Sequence, residues 1–263
     1  MQALQSFFTS SAIPDVPAVV IFLLFLPAFA YFVARRRELG LALRPIPAYD
    51  ALKRLLAGAA EAGRPVHISI GIAGAGNAST ADTTAGLYAL AFLADRAAVS
   101  AIPPIVTVTD PTALPLAQDQ LRRAYQRQGY PDEYDPRQAR FIAPSINRRA
   151  TAYAAGVMDV LRHERVMANV MLGAFGDEFL LMGETGAQQN LLQAGGTSNP
   201  FVLPFVYTSV AQPLYGEEIY AAGAYLSAQP GHIGSLLAQD ALRAVFVLMM
   251  ILAVLARTVG LHL

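Results

Sequence analysis

The sequence predicts an α/β layered fold around a mostly parallel sheet, bracketed by N- and C-terminal transmembrane helices. Three observations carry this. Apolar, strand-like runs alternate with amphipathic or Ala-rich helical runs through the middle of the chain, with short connections that suit parallel crossovers. An uncharged 19-residue stretch precedes that region and an apolar 20-residue stretch follows it. The chain is 54% hydrophobic and only 14% charged, with mean hydropathy +0.40. That is too apolar for an ordinary soluble enzyme and too polar for a polytopic transporter, and it suits a soluble body on a few spans.

Residues 1–15 carry no positive charge ahead of the apolar stretch, so 16–34 (VPAVVIFLLFLPAFAYFVA) reads as an anchor and not as a cleaved signal peptide. At 1.5 Å per residue it reaches roughly 28 Å, close to the hydrocarbon thickness of a bilayer. Arg35, Arg36 and Arg37 close it and open a basic juxtamembrane linker, 35–48. By the positive-inside rule, residues 1–15 then lie outside and the α/β domain, 49–240, lies in the cytoplasm. At the other end, 244–263 reads as a second span, with Arg243 at its cytoplasmic entry and Arg257 reaching toward the far interface. An amphipathic or buried C-terminal helix is the alternative for that segment. The location expected is a bacterial inner membrane.

Within the body, 49–62 is an amphipathic helix ended by Gly63 and Pro65, and 66–72 (VHISIGI) is a strand. Ser79 or Thr80 can cap a helix running to about Ala98. A second strand at 105–110 ends in Asp110-Pro111, and a helix follows over 115–129 with a glycine stop. A third strand is read at 139–144 and a helix at 147–165. ANVMLGAFG and EFLLMGE read as a hairpin around Gly173 to Gly183, AQQNLLQAG as helical, VLPFVYTSV (202–210) as a strand and 216–228 as a helix. Tyr-Ala-Ala-Gly occurs at 153–156 and again at 220–223, where small residues let a strand or a second helix come close.

The stretch SIGIAGAGNAST (69–80) has the context of a phosphate loop: strand, glycines, helix N-terminus. It lacks the lysine of a Walker loop. In the dinucleotide fingerprint G-x-G-x-x-G, Gly74 and Gly76 fit but Ser79 takes the third position. Asp110, 34 residues past Gly76, is the candidate for a ribose contact. The same glycines suit a tight turn beneath a close-packed helix, so both readings stand.

Other chemistry is sparse. There is no cysteine, which excludes disulfides and thiolate sites. His67, His163, His232 and His262 are widely spaced, without the i, i+4 partner of a metal helix. Asp132, Glu133 and Asp135 read as a solvated turn, and Glu217 and Glu218 as helix-opening charge. Asp177, Glu178 and Glu184 are a weak divalent-cation pattern. Ser145 and Ser209 follow strand-like runs outside any G-x-S-x-G elbow. No nucleophile–base–orienter set assembles.

Net charge is zero, which gives no reason to expect nucleic acid. The distribution is uneven: Arg35 to Arg165 holds 17 basic and 12 acidic residues, whereas Val166 to Leu242 holds no Lys or Arg and six acids. Either the two halves pair within the chain, or a basic face of one subunit meets an acidic face of the next.

GIAGAGN, VTDPTALPLAQDQLRRAY, YAAGVMDVL, ANVMLGAFGDEFLLMGE and GEEIYAAGAYL, in this order between two apolar segments, resemble an uncharacterised family of bacterial two-span membrane proteins, a domain of unknown function. The resemblance covers most of residues 16–256. It implies two spans and a Rossmann-like body, and transfers no catalytic residue.

Two functions are therefore expected. The first is a membrane-anchored structural protein that self-assembles into a homo-oligomer, a ring or barrel-like assembly organising a membrane patch; its partners are the bilayer and itself, and it requires no cofactor. The second is a membrane-tethered nucleotide-binding sensor or enzyme using Gly74, Gly76, Ser79, Thr80 and Asp110.

Overall fold

The structure is a computed structural model and describes residues 16–39, 43–100, 102–144 and 149–258. The expected segment 1–15, Ser145 and the tail from residue 259, with His262, lie outside the described residues. In chain order the elements are α1 (Val16–Leu39), α2 (Pro47–Ala62), β1 (Val66–Gly71), α3 (Thr80–Ser100), β2 (Ile105–Val108), α4 (Ala113–Gln128) and β3 (Ala139–Phe141). There follow α5 (Arg149–His163), β4 (Ala168–Ala174), α6 (Glu178–Gln188), β5 (Leu192–Thr197), α7 (Leu203–Ser209) and β6 (Gln212–Tyr215). A 3-10 segment, Gly216–Ala221, runs into α8 (Ala222–Ser227), and α9 spans Pro230–Thr258. Two compact units result: Pro45–Ser227, and the flanking chain on either side of it.

The α/β unit is one sheet of six strands in the order β3-β2-β1-β4-β5-β6, each neighbouring pair parallel. This is the doubly wound order in which the direction of winding reverses between β1 and β4. β1, β2 and β4 are buried along their whole length, as strands covered on both faces must be. Helices α2, α3, α4 and α8 pack together on one face, and α5, α6 and α7 on the other. The core beneath the second group joins Tyr153, Val157 and Leu161 of α5 to Met171, Phe175, Phe179 and Met182. Helix ends follow local chemistry: Gly63 and Gly129 terminate α2 and α4 in the left-handed conformation, and Pro47 stands in the first turn of α2.

Three expectations for the second half are corrected. EFLLMGE is the start of α6 and not a hairpin strand, because Phe179, Met182, Gly183 and Gly186 recur at helical spacing on its buried side. The sheet, expected to be mostly parallel, is parallel between every neighbouring pair of strands. AQQNLLQAG leads into β5, whose Gly195 and Gly196 lie flat against the backbones of Met171 and Leu214, where a Cβ would collide. VLPFVYTSV forms α7, with Pro204 in its first turn despite its β-branched and aromatic residues. The last strand is instead β6, four residues long and carrying Pro213 at the sheet edge, where a missing N–H is tolerated. In the first YAAG motif, Gly156 faces the Ile142 side chain, so close packing within the unit uses that small residue.

In the flanking unit, α1 and α9 pack against each other, with Gly234 set so close to Val33 that an added methyl would clash. Pro230–Leu252 is 23 residues with a most apolar window of mean hydropathy 1.8, long and apolar enough to cross a membrane, and 11% of that window is buried. The apolar stretch of α1, Val19–Arg35, is shorter. Phe22, Leu23, Met250 and Val254 are among the apolar side chains left exposed on these helices. Apolar surface of that extent calls for lipid or protein cover.

Gly86 of α3 sits over the sheet where an added Cβ would run into the Leu172 carbonyl and the Ile70 side chain. Gly86→Val is expected to destabilise the protein by about 1–3 kcal/mol. Ala81→Val, at an exposed site on the same helix, should change it by about 0.5 kcal/mol or less. Thermal unfolding of the two variants checks the difference.

Candidate functional site

The glycine loop leaves β1 at Gly71 and enters α3 at Thr80, at the carboxyl end of the sheet beside the β1/β4 reversal. Gly76 has φ +93°, which favours glycine. Gly74 is required for a different reason: a Cβ there would fall on the Asp110 carboxylate and the Thr112 hydroxyl. The structure thus brings Gly74 and Asp110 into contact, as the nucleotide reading needs, and holds Gly76, Ser79 and Thr80 in one turn next to them.

The loop is closed on itself. The Gly76 and Asn77 amides donate to Thr80 Oγ1 at 2.9 and 3.0 Å, and Ser79 N–H donates to Asn77 Oδ1 at 2.9 Å. The Thr80 hydroxyl donates to the Asn77 carbonyl at 2.6 Å. Ala75 N–H donates to Thr112 Oγ1 at 2.9 Å, and the Thr112 hydroxyl and amide both donate to Asp110 Oδ1. Four amides that a phosphate would use already have oxygen acceptors from the protein.

The electrostatics point the same way. Arg149, at the start of α5, donates to Asp110 Oδ2 at 2.7 Å. Burial works to raise the Asp110 carboxyl, but hydrogen bonds from Thr112 and Arg149 outweigh it and hold the group below the usual range, as a carboxylate. Asp82, in the first turn of α3, is buried and accepts from the Tyr220 hydroxyl at 2.6 Å. Two carboxylates and one guanidinium surround the loop, an arrangement poorly suited to a polyphosphate. Sequence reasoning missed Thr112 and Arg149. The Asp-Pro-Thr turn is a local signal for the first, but Arg149 is brought in by the crossover to α5.

Within the sheet, buried polar side chains form a chain across neighbouring strands. His67 Nδ1 is 2.8 Å from Asn169 Oδ1, and its Nε2 is 2.9 Å from Thr107 Oγ1. Asn169 donates on to Gln193, and Gln193 donates to the carbonyls of Gly183 and Ser209. On the other side, the Tyr153 hydroxyl joins Ser69 at 2.6 Å and Thr107 at 3.0 Å. The parallel register aligns His67 with Asn169 and Asn169 with Gln193. Burial pulls His67 down to about 4 and pushes Tyr153 up to about 12, so both are neutral at physiological pH. The chain is a structural network in the interior.

The acidic pattern does not converge. Asp177 and Glu184 are exposed, while Glu178 is buried, with Oε1 accepting the Gly176 amide at 2.7 Å and Oε2 without a partner. Burial pushes its carboxyl up. Among the described residues, no group of three or more His, Asp or Glu is placed to hold a metal ion.

The uneven charge of the sequence maps onto the two sides of the sheet: residues to 165 build β1–β3 and α2–α5, and the Lys- and Arg-free stretch 166–242 builds β4–β6. Ion pairs of the first side join its own acids and bases: Asp119 with Arg122 and Arg123, Asp95 with Arg127, Asp135 with Arg137, and Glu164 with Arg140. On the second side Phe201 and Tyr207 are 88% and 72% exposed, and Tyr215 and Tyr220 are also exposed.

Fold and loop together define a doubly wound, Rossmann-type α/β unit joined to apolar helices, with a glycine turn sealed by its own side chains. The chain belongs to the DUF6754 family, a domain of unknown function, whose match covers residues 5–263. No curated protein and no solved structure matches it.

His67 provides a pH test of the buried network. Its folded value lies below the unfolded one of 6.5, so only the unfolded chain takes up this proton between pH 6.5 and about 4. Stability falls as the pH drops through that window, by about 3 kcal/mol in total from this group. Denaturant midpoints across the range should show that slope in the native sequence, and His67→Asn should lack this share of it.

Proposed function

We propose that this protein is a membrane-anchored structural protein that self-associates head to tail into a homo-oligomer, a ring or barrel-like assembly on a membrane patch. The observation that carries the reading is the β5–β6 side of the sheet. Phe201, Tyr207, Tyr215 and Tyr220 stand exposed there, with Asp177, Glu184 and Glu217, on a part of the chain that has no lysine or arginine. The β3 side offers Arg122, Arg123, Arg137 and Arg140, in surface ion pairs that contribute little and can be exchanged. Guanidinium groups stack on aromatic faces, so each side suits the other, and unlike sides meeting give a heterologous contact that closes into a ring.

In this reading α1 and α9 both span the inner membrane of a bacterium, Arg35–Arg37 stay on the cytoplasmic side, and both termini lie outside. Within the α/β unit, Tyr49 at the start of α2 stacks on Tyr225 of α8, 5.1 Å between ring centres. Light scattering of the full chain in mild detergent should give a defined multi-subunit mass at low salt that falls at high salt. Phe201→Ser with Tyr207→Ala should give the smaller species at low salt. A native protein that is monomeric at low salt removes the proposal.

A second reading, a tethered nucleotide-binding domain, is supported by one observation: the dinucleotide-type strand order sets Asp110, just past β2, against Gly74. A nucleotide at 100 times its Kd would stabilise the protein by about 2.7 kcal/mol. Because the loop amides are already bonded, thermal shifts against a nucleotide panel are expected to be flat; a shift abolished by Gly74→Ala would establish this reading instead.

A further inference from the structure

We infer that the α/β unit holds a second, unrelated site: a cavity at the amino ends of the strands that takes an acyl chain carrying an anionic head. The cavity has a volume of about 460 Å³, within the range of small-molecule sites. It opens between the C-terminal halves of α2 and α3, over the first residues of β1 and beside the entry to β2. Leu56, Leu93, Ile102 and Pro104 make its wall apolar. This is the end of the unit opposite to the glycine loop.

The charged groups lining it are Lys53, Arg64, Arg96 and Asp95. Asp95 is neutralised from outside by Arg127 at 2.8 Å, which leaves a cationic rim around an apolar interior. Arg64 is fixed there, donating to the carbonyls of Arg165 and Val166 at 2.7 and 2.6 Å, so its charge is held by main chain and not cancelled by a carboxylate. Arg96 lies over the Phe92 ring, 5.4 Å from its centre, and is exposed. Lys53 reaches Asp50 only at 3.4 Å, one turn away on an exposed face. An apolar tail would fill the interior while a carboxylate or phosphate head met these cations. A cationic amphiphile would meet like charge, and a purely polar anion would leave the apolar wall wet. The complementarity is to a single-chain anionic amphiphile, supplied either free or by a bilayer lipid.

The absence of cysteine makes the test direct. Ala57 lines the cavity and is exposed, so Ala57→Cys places the single thiol of the full chain there; Ala60→Cys is a second variant at the same wall. In phosphatidylcholine nanodiscs, the thiol should react faster with an anionic methanethiosulfonate than with a cationic one. Taking the ratio of the two rates cancels any effect of the rim on the thiolate fraction itself. Decanoate at ten times its Kd should slow modification roughly tenfold, and decyltrimethylammonium should not. Arg96→Glu in the same background should reduce both the rate ratio and the protection. If discs containing phosphatidylglycerol protect the thiol before decanoate is added, the bilayer supplies the chain; if only added decanoate protects, the free acid is the ligand. Unchanged modification in decanoate and in phosphatidylglycerol discs, or equal protection by the two amphiphiles of opposite charge, overturns the inference.

Discussion

The structure depends on one constraint: β1 is paired in parallel on both sides, with β2 on one edge and β4 on the other, and is buried along its whole length. A parallel strand so enclosed cannot connect to either neighbour by a tight turn, so each link must be a crossover, and crossovers place helices on the sheet faces. With β2 and β3 on one side and β4 to β6 on the other, the winding reverses at β1 and helices cover both faces. The glycine loop lies at that reversal because it is the first crossover out of the central strand.

The same enclosure explains the interior polar chain. His67, Ser69, Thr107, Asn169 and Gln193 sit on buried strands, where an unpaired polar atom costs more than a hydrogen bond contributes. Register aligns them well enough that each satisfies another, and Tyr153 joins the chain from the helix above. Such a network is compatible with one strand order and one register, so it selects against slipped pairings that an all-apolar core would tolerate. Glu178 departs from this pattern: one of its carboxyl oxygens is buried without a partner, at the turn from β4 into α6.

The glycine loop shows why a motif needs its surroundings. Strand, glycines and helix start are where the sequence places them, and Asp110 is brought to the loop. The function of that geometry is set by Thr80, Asn77 and Thr112, whose oxygens accept the amides that would otherwise face solvent. Thr80 was visible as a capping residue. Thr112 and Arg149 reach the site only because two crossovers converge at the same end of the sheet, and no spacing in the chain encodes that convergence. The cavity at the opposite end is equally hidden, since α2 meets the end of α3 and the approach to β2 there only after the chain has passed through β1.

What the sequence determined by itself were the features set by local chemistry: the alternation of strands and helices through α5, the glycine-terminated ends of α2 and α4, and the apolar helices on either side. These follow from periodicity and from the backbone preferences of Gly and Pro, which act within a few residues. What only the tertiary structure decided was the identity of β5, α6 and α7. A Gly-Gly strand gains its place from neighbours that come too close for any side chain, and Val-, Phe- and Tyr-containing α7 is held helical by packing over the sheet. Propensities of a few tenths of a kcal/mol per residue yield to burial contributing about 1.5–3 kcal/mol per large apolar side chain. Segments whose local preference is weak therefore take the structure that the completed sheet imposes on them.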